Sequence, residues 1–133
     1  MLPITSLTAV ALSLAFVALG VLTIRRRRSS RVAIGDGANE TLTRAMRAQA
    51  NLGEYGLFFL ALLGLAELND GPEVWLGLLA AAFLVGRAAH AFGLVVAEPR
   101  GGTGAFRFRT AGMATTFTTI AFAATTLLVA LAV

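Results

Sequence analysis

The chain has 133 residues, of which 57% are hydrophobic and only 14% charged, with eleven basic and seven acidic side chains. So little polar surface is incompatible with a soluble domain and points to an integral membrane protein. The absence of cysteine excludes disulfides, thiolate metal ligation and a protein thiol nucleophile, and a single histidine excludes a histidine-based metal cluster.

Four apolar segments follow one another, each long enough at ~1.5 Å per residue to cross a ~30 Å hydrocarbon layer. The first runs from about Pro3 to Ile24. Its basic residues follow the apolar run instead of preceding it, so it reads as a retained span and not as a signal peptide. Arg25, Arg26, Arg27, Arg28 and Arg31 come next. They read as a topology signal against anionic lipid head groups, not as a nucleic-acid surface. The stretch Gly35-Asp36-Gly37-Ala38-Asn39-Glu40 is rich in turn formers, and Asn39 or Thr41 is placed to cap the next helix.

The second span, about Arg44 to Leu65, carries the most informative pattern. Arg44, Arg47, Asn51 and Glu54 are spaced by three, four and three residues, which lines them up on one stripe of a helix. Charges are expensive in hydrocarbon, so each needs a partner or a water-filled cavity. A stripe with both signs of charge and an amide suits a zwitterionic ligand. Beyond it, Leu57 to Ala66 is apolar. The following loop holds Glu67, Asp70 and Glu73 with no basic residue, and Asn69-Asp70-Gly71-Pro72 predicts a tight turn.

The third span, about Val74 to Val96, starts at an interfacial Trp75 and carries Arg87 and His90 near its far end. Pro99-Arg100-Gly101-Gly102-Thr103-Gly104 reads as a flexible loop. The fourth span, about Phe108 to Val133, opens with Arg109 and Thr110 and is rich in threonine and alanine, a composition that allows close helix packing. Arginines mark the first and third loops and are missing from the second. The positive-inside rule therefore places those two loops in the cytoplasm and both termini on the outside. Ionisable residues of three spans then fall at one membrane level, which suggests a polar cleft open to the cytoplasm. A structural ion-pair network of Arg47, Glu54 and Arg87 is the competing reading. The inner-half set Arg44, Arg47, Arg87 and Arg109 outnumbers Glu54 alone, and that imbalance favours an anionic ligand or lipid head group.

The segment Arg47-Ala48-Gln49-Ala50-Asn51-Leu52-Gly53-Glu54-Tyr55 resembles the second-helix motif of the MAPEG family, the membrane-associated proteins of eicosanoid and glutathione metabolism. Gly86-Arg87-Ala88-Ala89-His90-Ala91-Phe92-Gly93 resembles that family's third-helix element, and Arg109-Thr110-Ala111-Gly112-Met113 the start of the fourth helix in bacterial members. The resemblance implies an all-α integral membrane four-helix bundle, assembled as a homotrimer; in a bacterial inner membrane the arginine asymmetry makes both termini periplasmic. It implies glutathione between subunits, held by Arg47, Gln49, Asn51, Glu54 and Tyr55 with help from Arg87 and His90. An arginine of the 25–28 run would reach its carboxylate from the neighbouring subunit. Arg109 would stabilise the thiolate. Leu94 stands where several active members have tyrosine.

Two functions are expected from this. The first is conjugation of the thiol to a lipophilic electrophile, or reduction of a lipid hydroperoxide, with the apolar co-substrate entering from the bilayer. The second is a non-catalytic structural or accessory subunit of a larger membrane complex, with lipid head groups in the polar cleft. A transporter is a weaker reading, since the spans lack broken helices.

Overall fold

The computed structural model describes residues 1–101 and 104–132. Gly102 and Thr103, in the middle of the expected inner loop, and Val133, the expected end of the fourth span, lie outside the described residues. Every regular element among the described residues is helical. The helices are α1 (Pro3–Ser30), α2 (Glu40–Leu68), α3 (Glu73–Arg100) and α4 (Ala105–Ala132), of 28, 29, 28 and 28 residues. All four are long and apolar enough to cross a membrane.

Local chemistry sets the helix ends. Asn39, not Thr41, caps α2: its Oδ1 accepts the Leu42 N–H at 3.0 Å and the Thr41 hydroxyl at 2.7 Å. α1 opens on Pro3, whose missing N–H costs nothing in a first turn. No residue of its own caps it. Glu67, near the far end of α2, accepts the Ile4 N–H at 2.9 Å, the Thr5 N–H at 2.8 Å and the Thr5 hydroxyl at 2.6 Å. This carboxylate, expected in an outer loop, is therefore a remote cap that fixes α1 antiparallel to α2. α1 ends where Arg31 turns left-handed, and Val32 N–H closes back on the Arg27 carbonyl at 3.1 Å.

α3 continues to Arg100, past the expected limit at Val96. A π-helical segment, Gly93–Ala97, explains how it passes Pro99. Proline removes the amide that would bond one turn back. The wider turn directly ahead of it lets the Glu98 N–H bond the Gly93 carbonyl instead.

The main packing pairs are α1 with α2 and α3 with α4. α3 and α4 meet at glycine. A Cβ at Gly112 would lie 2.5 Å from the Gly86 carbonyl oxygen and 2.6 Å from the His90 amide nitrogen, so only glycine allows this approach. The threonine hydroxyls of α4 donate to carbonyls of their own helix, which leaves a smooth, satisfied surface. The apolar core centres on Phe59 and Phe83, stacked 4.0 Å apart, and continues through Leu63, Leu76 and Leu79. On the arginine-bearing side of that core lies a layer of polar side chains.

Candidate functional site

The α2 stripe divides. Arg44 turns inward, whereas Arg47 and Glu54 face out of the bundle as exposed side chains. Among the described residues neither Arg47 nor Glu54 has an ion-pair partner. Asn51, half-buried between them, donates its amide to the Arg47 carbonyl at 2.8 Å. A cavity of about 380 Å³ opens at the loop-facing end of the stripe, lined by Gly35, Asp36, Thr43, Met46, Arg47 and Ala50. Its loop wall is held by Arg27, which donates to the Gly35 carbonyl at 2.7 Å. Gln49 is two residues off the stripe and faces α1, with Nε2 3.1 Å from where a Gly20 Cβ would stand. On the α1 side an apolar groove of about 410 Å³ runs between Phe16, Val17, Leu52, Leu57 and Leu60.

The remaining site residues lie inside the bundle. Arg87 is 3% exposed and donates to the Thr116 hydroxyl at 3.0 Å. Its guanidinium carbon lies 5.6 Å from the centre of the Tyr55 ring, which meets Phe117 edge-on. No carboxylate pairs with Arg87 among the described residues, so the Arg47–Glu54–Arg87 network does not form within the chain. His90, also buried, bonds through Nδ1 to the Arg109 carbonyl at 3.3 Å. Both side chains are thus buried in the single chain, Arg87 against Tyr55 and His90 against the Arg109 backbone.

The network that does form uses a residue just past the expected end of the third span. The Glu98 side chain is 4% exposed; its Oε2 accepts from Arg44 at 3.0 Å, and its Oε1 lies 3.1 Å from Arg109. The hydrogen bond from Arg109 runs to Oε2, at 3.3 Å. Arg44 also reaches the exposed Glu40 at 3.3 Å. Glu98 thus reduces the expected imbalance to four inner arginines against two glutamates, with Arg44 and Arg109 already paired. A count of acidic residues at the inner level that ran past Val96 would have found it.

Asp36 stands outside the spans. The Ala38 N–H and the Thr43 hydroxyl bond its carboxylate and hold its pKa below the ordinary value. No group of histidine, aspartate and glutamate suited to a metal ion occurs among the described residues.

Comparison with known proteins agrees with the second-helix motif. The model of the MAPEG family matches residues 5–130. No curated protein and no solved structure matches the chain. Since the match spans nearly all of a chain with four membrane-length helices, this multi-pass membrane protein belongs to the MAPEG family, the family of glutathione and eicosanoid metabolism.

Proposed function

We propose that the protein binds glutathione, or a thiol of the same anionic class, in a cleft between the subunits of a homotrimer. The observation that carries this reading is the outward-facing stripe. A charged side chain at the centre of a membrane helix costs ~2.5–3.5 kcal/mol on insertion scales. Glu54 stands at the middle of α2 and Arg47 about two turns nearer its arginine-bearing end, both on an uncovered helix face. A neighbouring subunit and a ligand of matching charge offset that cost. Glutathione has the matching groups: carboxylates for Arg47, an ammonium for Glu54 and amides for Asn51. Gln49 would fix the adjoining α1 face, and Tyr55, backed by Arg87, would close the inner edge.

Bound glutathione would supply a thiol nucleophile. The chain would contribute position through the stripe and a cation, Arg109, that favours the ionised sulfur. A lipophilic electrophile or lipid hydroperoxide would arrive from the bilayer along the apolar α1–α2 groove. The arginine-rich end of α1 would face the cytoplasm of a bacterial inner membrane, with both termini outside.

The accessory-subunit reading has one observation in its favour: Leu94 is buried and apolar at the position where the family resemblance puts a tyrosine in several active eukaryotic members. Calorimetry with glutathione on the detergent-purified protein, alongside native mass spectrometry, decides between them. Micromolar to millimolar binding by a trimer is expected. A trimer or larger complex with no glutathione heat would favour the accessory subunit.

A further inference from the structure

We infer that Glu98 is a positioning residue for Arg109, and that the π-helical segment before it exists to aim it. α3 engages Arg109 at three points. His90 Nδ1 bonds its carbonyl at 3.3 Å. Gly93 packs against its backbone so closely that a Cβ there would lie 2.7 Å from the Arg109 nitrogen. Glu98 holds its guanidinium by one nitrogen, Nη1, which donates to Oε2 at 3.3 Å and lies 3.1 Å from Oε1. Two of these residues, Gly93 and Glu98, bracket the π segment. A π turn inserts one residue into the helical phase, so its removal would swing Glu98 roughly 100° away from Arg44 and Arg109.

The charge arithmetic gives the arrangement a use. Two guanidiniums share one buried carboxylate, and the other acid of the network, the exposed Glu40, pairs with Arg44 and not with Arg109, so Arg109 has no carboxylate to itself among the described residues. Arg109 retains 39% side-chain exposure while Glu98 has 4%. The carboxylate is therefore the hidden anchor, and the arginine is the accessible face. A fixed cation of this kind offers an anion a defined place at little reorganisation cost. The inference rests on the proposed thiol binding for its chemical purpose, but the clamp itself does not.

Two measurements on Glu98→Gln and Glu98→Asp in the trimeric, detergent-purified protein test it. The first is modification of arginines by phenylglyoxal, read peptide by peptide, and it needs no ligand. Arg44 and Arg109 should react severalfold faster in Glu98→Gln, while exposed Arg107 stays unchanged as the internal control. Equal reactivity at Arg109 in variant and wild type would overturn the clamp. The second is the ultraviolet band of the glutathione thiolate, titrated with pH. Charge and position predict opposite signs here. Loss of a negative charge alone would ease ionisation of the thiol. Loss of position should hinder it, with about tenfold less thiolate at a given pH, equivalent to one pKa unit. Glu98→Asp keeps the charge but shortens the reach, so it should fall between the two. Easier ionisation in Glu98→Gln, or a wild-type titration in both variants, would overturn the positioning role. A wild type that binds no glutathione would count against the proposed function alone, and the arginine reactivities would still decide the clamp.

Discussion

The two polar regions of this protein solve the same problem in different ways. The inner layer is held mostly within one chain: Arg44 and Arg109 share Glu98, Arg87 leans on Thr116 and Tyr55, and His90 holds the Arg109 backbone, while Arg87 Nε, His90 Nε2 and Glu98 Oε1 are buried without a hydrogen-bond partner among the described residues. The outer stripe is left open. Arg47 and Glu54 lie on the same helix as Arg44, within three turns, and have no ion-pair partner among the described residues. Identical residue types therefore serve different ends according to which side of α2 they leave. Charges satisfied by their own chain contribute to one structure. Charges left uncovered in a membrane helix point to something that arrives from outside.

The comparison breaks most sharply at Glu54 and Arg47. Glu54→Ala and Arg47→Ala should each weaken glutathione binding by ~2–5 kcal/mol, the usual cost of stripping one partner from a desolvated charged contact. Even the low end is roughly thirtyfold in affinity, since ~1.4 kcal/mol is tenfold. Leu128→Ala, at an exposed position on α4 far along the chain from the stripe, is the control and should bind as the wild type does. Leu52 would be a poor control despite lying off the stripe, because it is 5% exposed and part of the core. Size exclusion should show all three variants folded. Wild-type affinity in well-assembled Arg47 and Glu54 variants would remove the distinction between the open and closed sets.

The converse experiment disturbs the closed layer. Gly112→Ala forces α3 and α4 apart, because the new Cβ would meet both the Gly86 oxygen and the His90 nitrogen. Overpacking of this sort costs ~1–3 kcal/mol. Thermal unfolding in detergent should show the loss without any ligand present. A Gly112→Ala variant as stable as the wild type would mean that this helix contact is not as tight as the geometry requires. A smaller effect is expected at Glu67→Ala, which uncaps α1 at Ile4 and Thr5. Loss of a cap costs ~0.5–2 kcal/mol, and hydrogen exchange should localise it to the first turn of α1. Uniform destabilisation across all helices would instead give Glu67 a global role.

Much of this division was legible in the sequence, and the part that was not has a physical cause. Long apolar runs announced four helices, and the arginine asymmetry between loops gave their expected orientation. The three-four-three spacing placed Arg44, Arg47, Asn51 and Glu54 on one side of α2. It did not reveal that Arg44 would turn inward while Arg47 turned out. A stripe has width, and the partner that decides between its edges sits 54 residues away on α3. Glu98 itself was hidden twice. Pro99 and the glycines after it look like a loop, and a π turn shifts the helical phase so that no 3.6-residue period extrapolated from Arg87 and His90 predicts where Glu98 points. Gln49 illustrates the reverse. The motif groups it with the stripe, yet two residues of α-helix carry it about 200° round, towards α1.

The smallest effect concerns the loop wall beside the open stripe, at Asp36. Its carboxylate accepts the Ala38 N–H at 3.1 Å and the Thr43 hydroxyl at 3.0 Å, and these bonds hold its pKa below the ordinary value. A carboxylate with a lowered folded-state pKa contributes stability above the unfolded-state pKa. That contribution is lost as the pH falls through the lowered folded value. The side chain is fully exposed, so solvent screens the effect, and it should be modest. Asp36→Asn should therefore melt slightly below the wild type at neutral pH, and the two curves should converge on acidification. The cavity wall sits next to Arg47, so glutathione affinity should follow the same pH course in the wild type relative to the variant. The closed layer gives no such behaviour, because Asp36 touches none of it. A difference between wild type and Asp36→Asn that stays constant from neutral to acid pH would show that shape, and not the charge of Asp36, sets the wall of the open site.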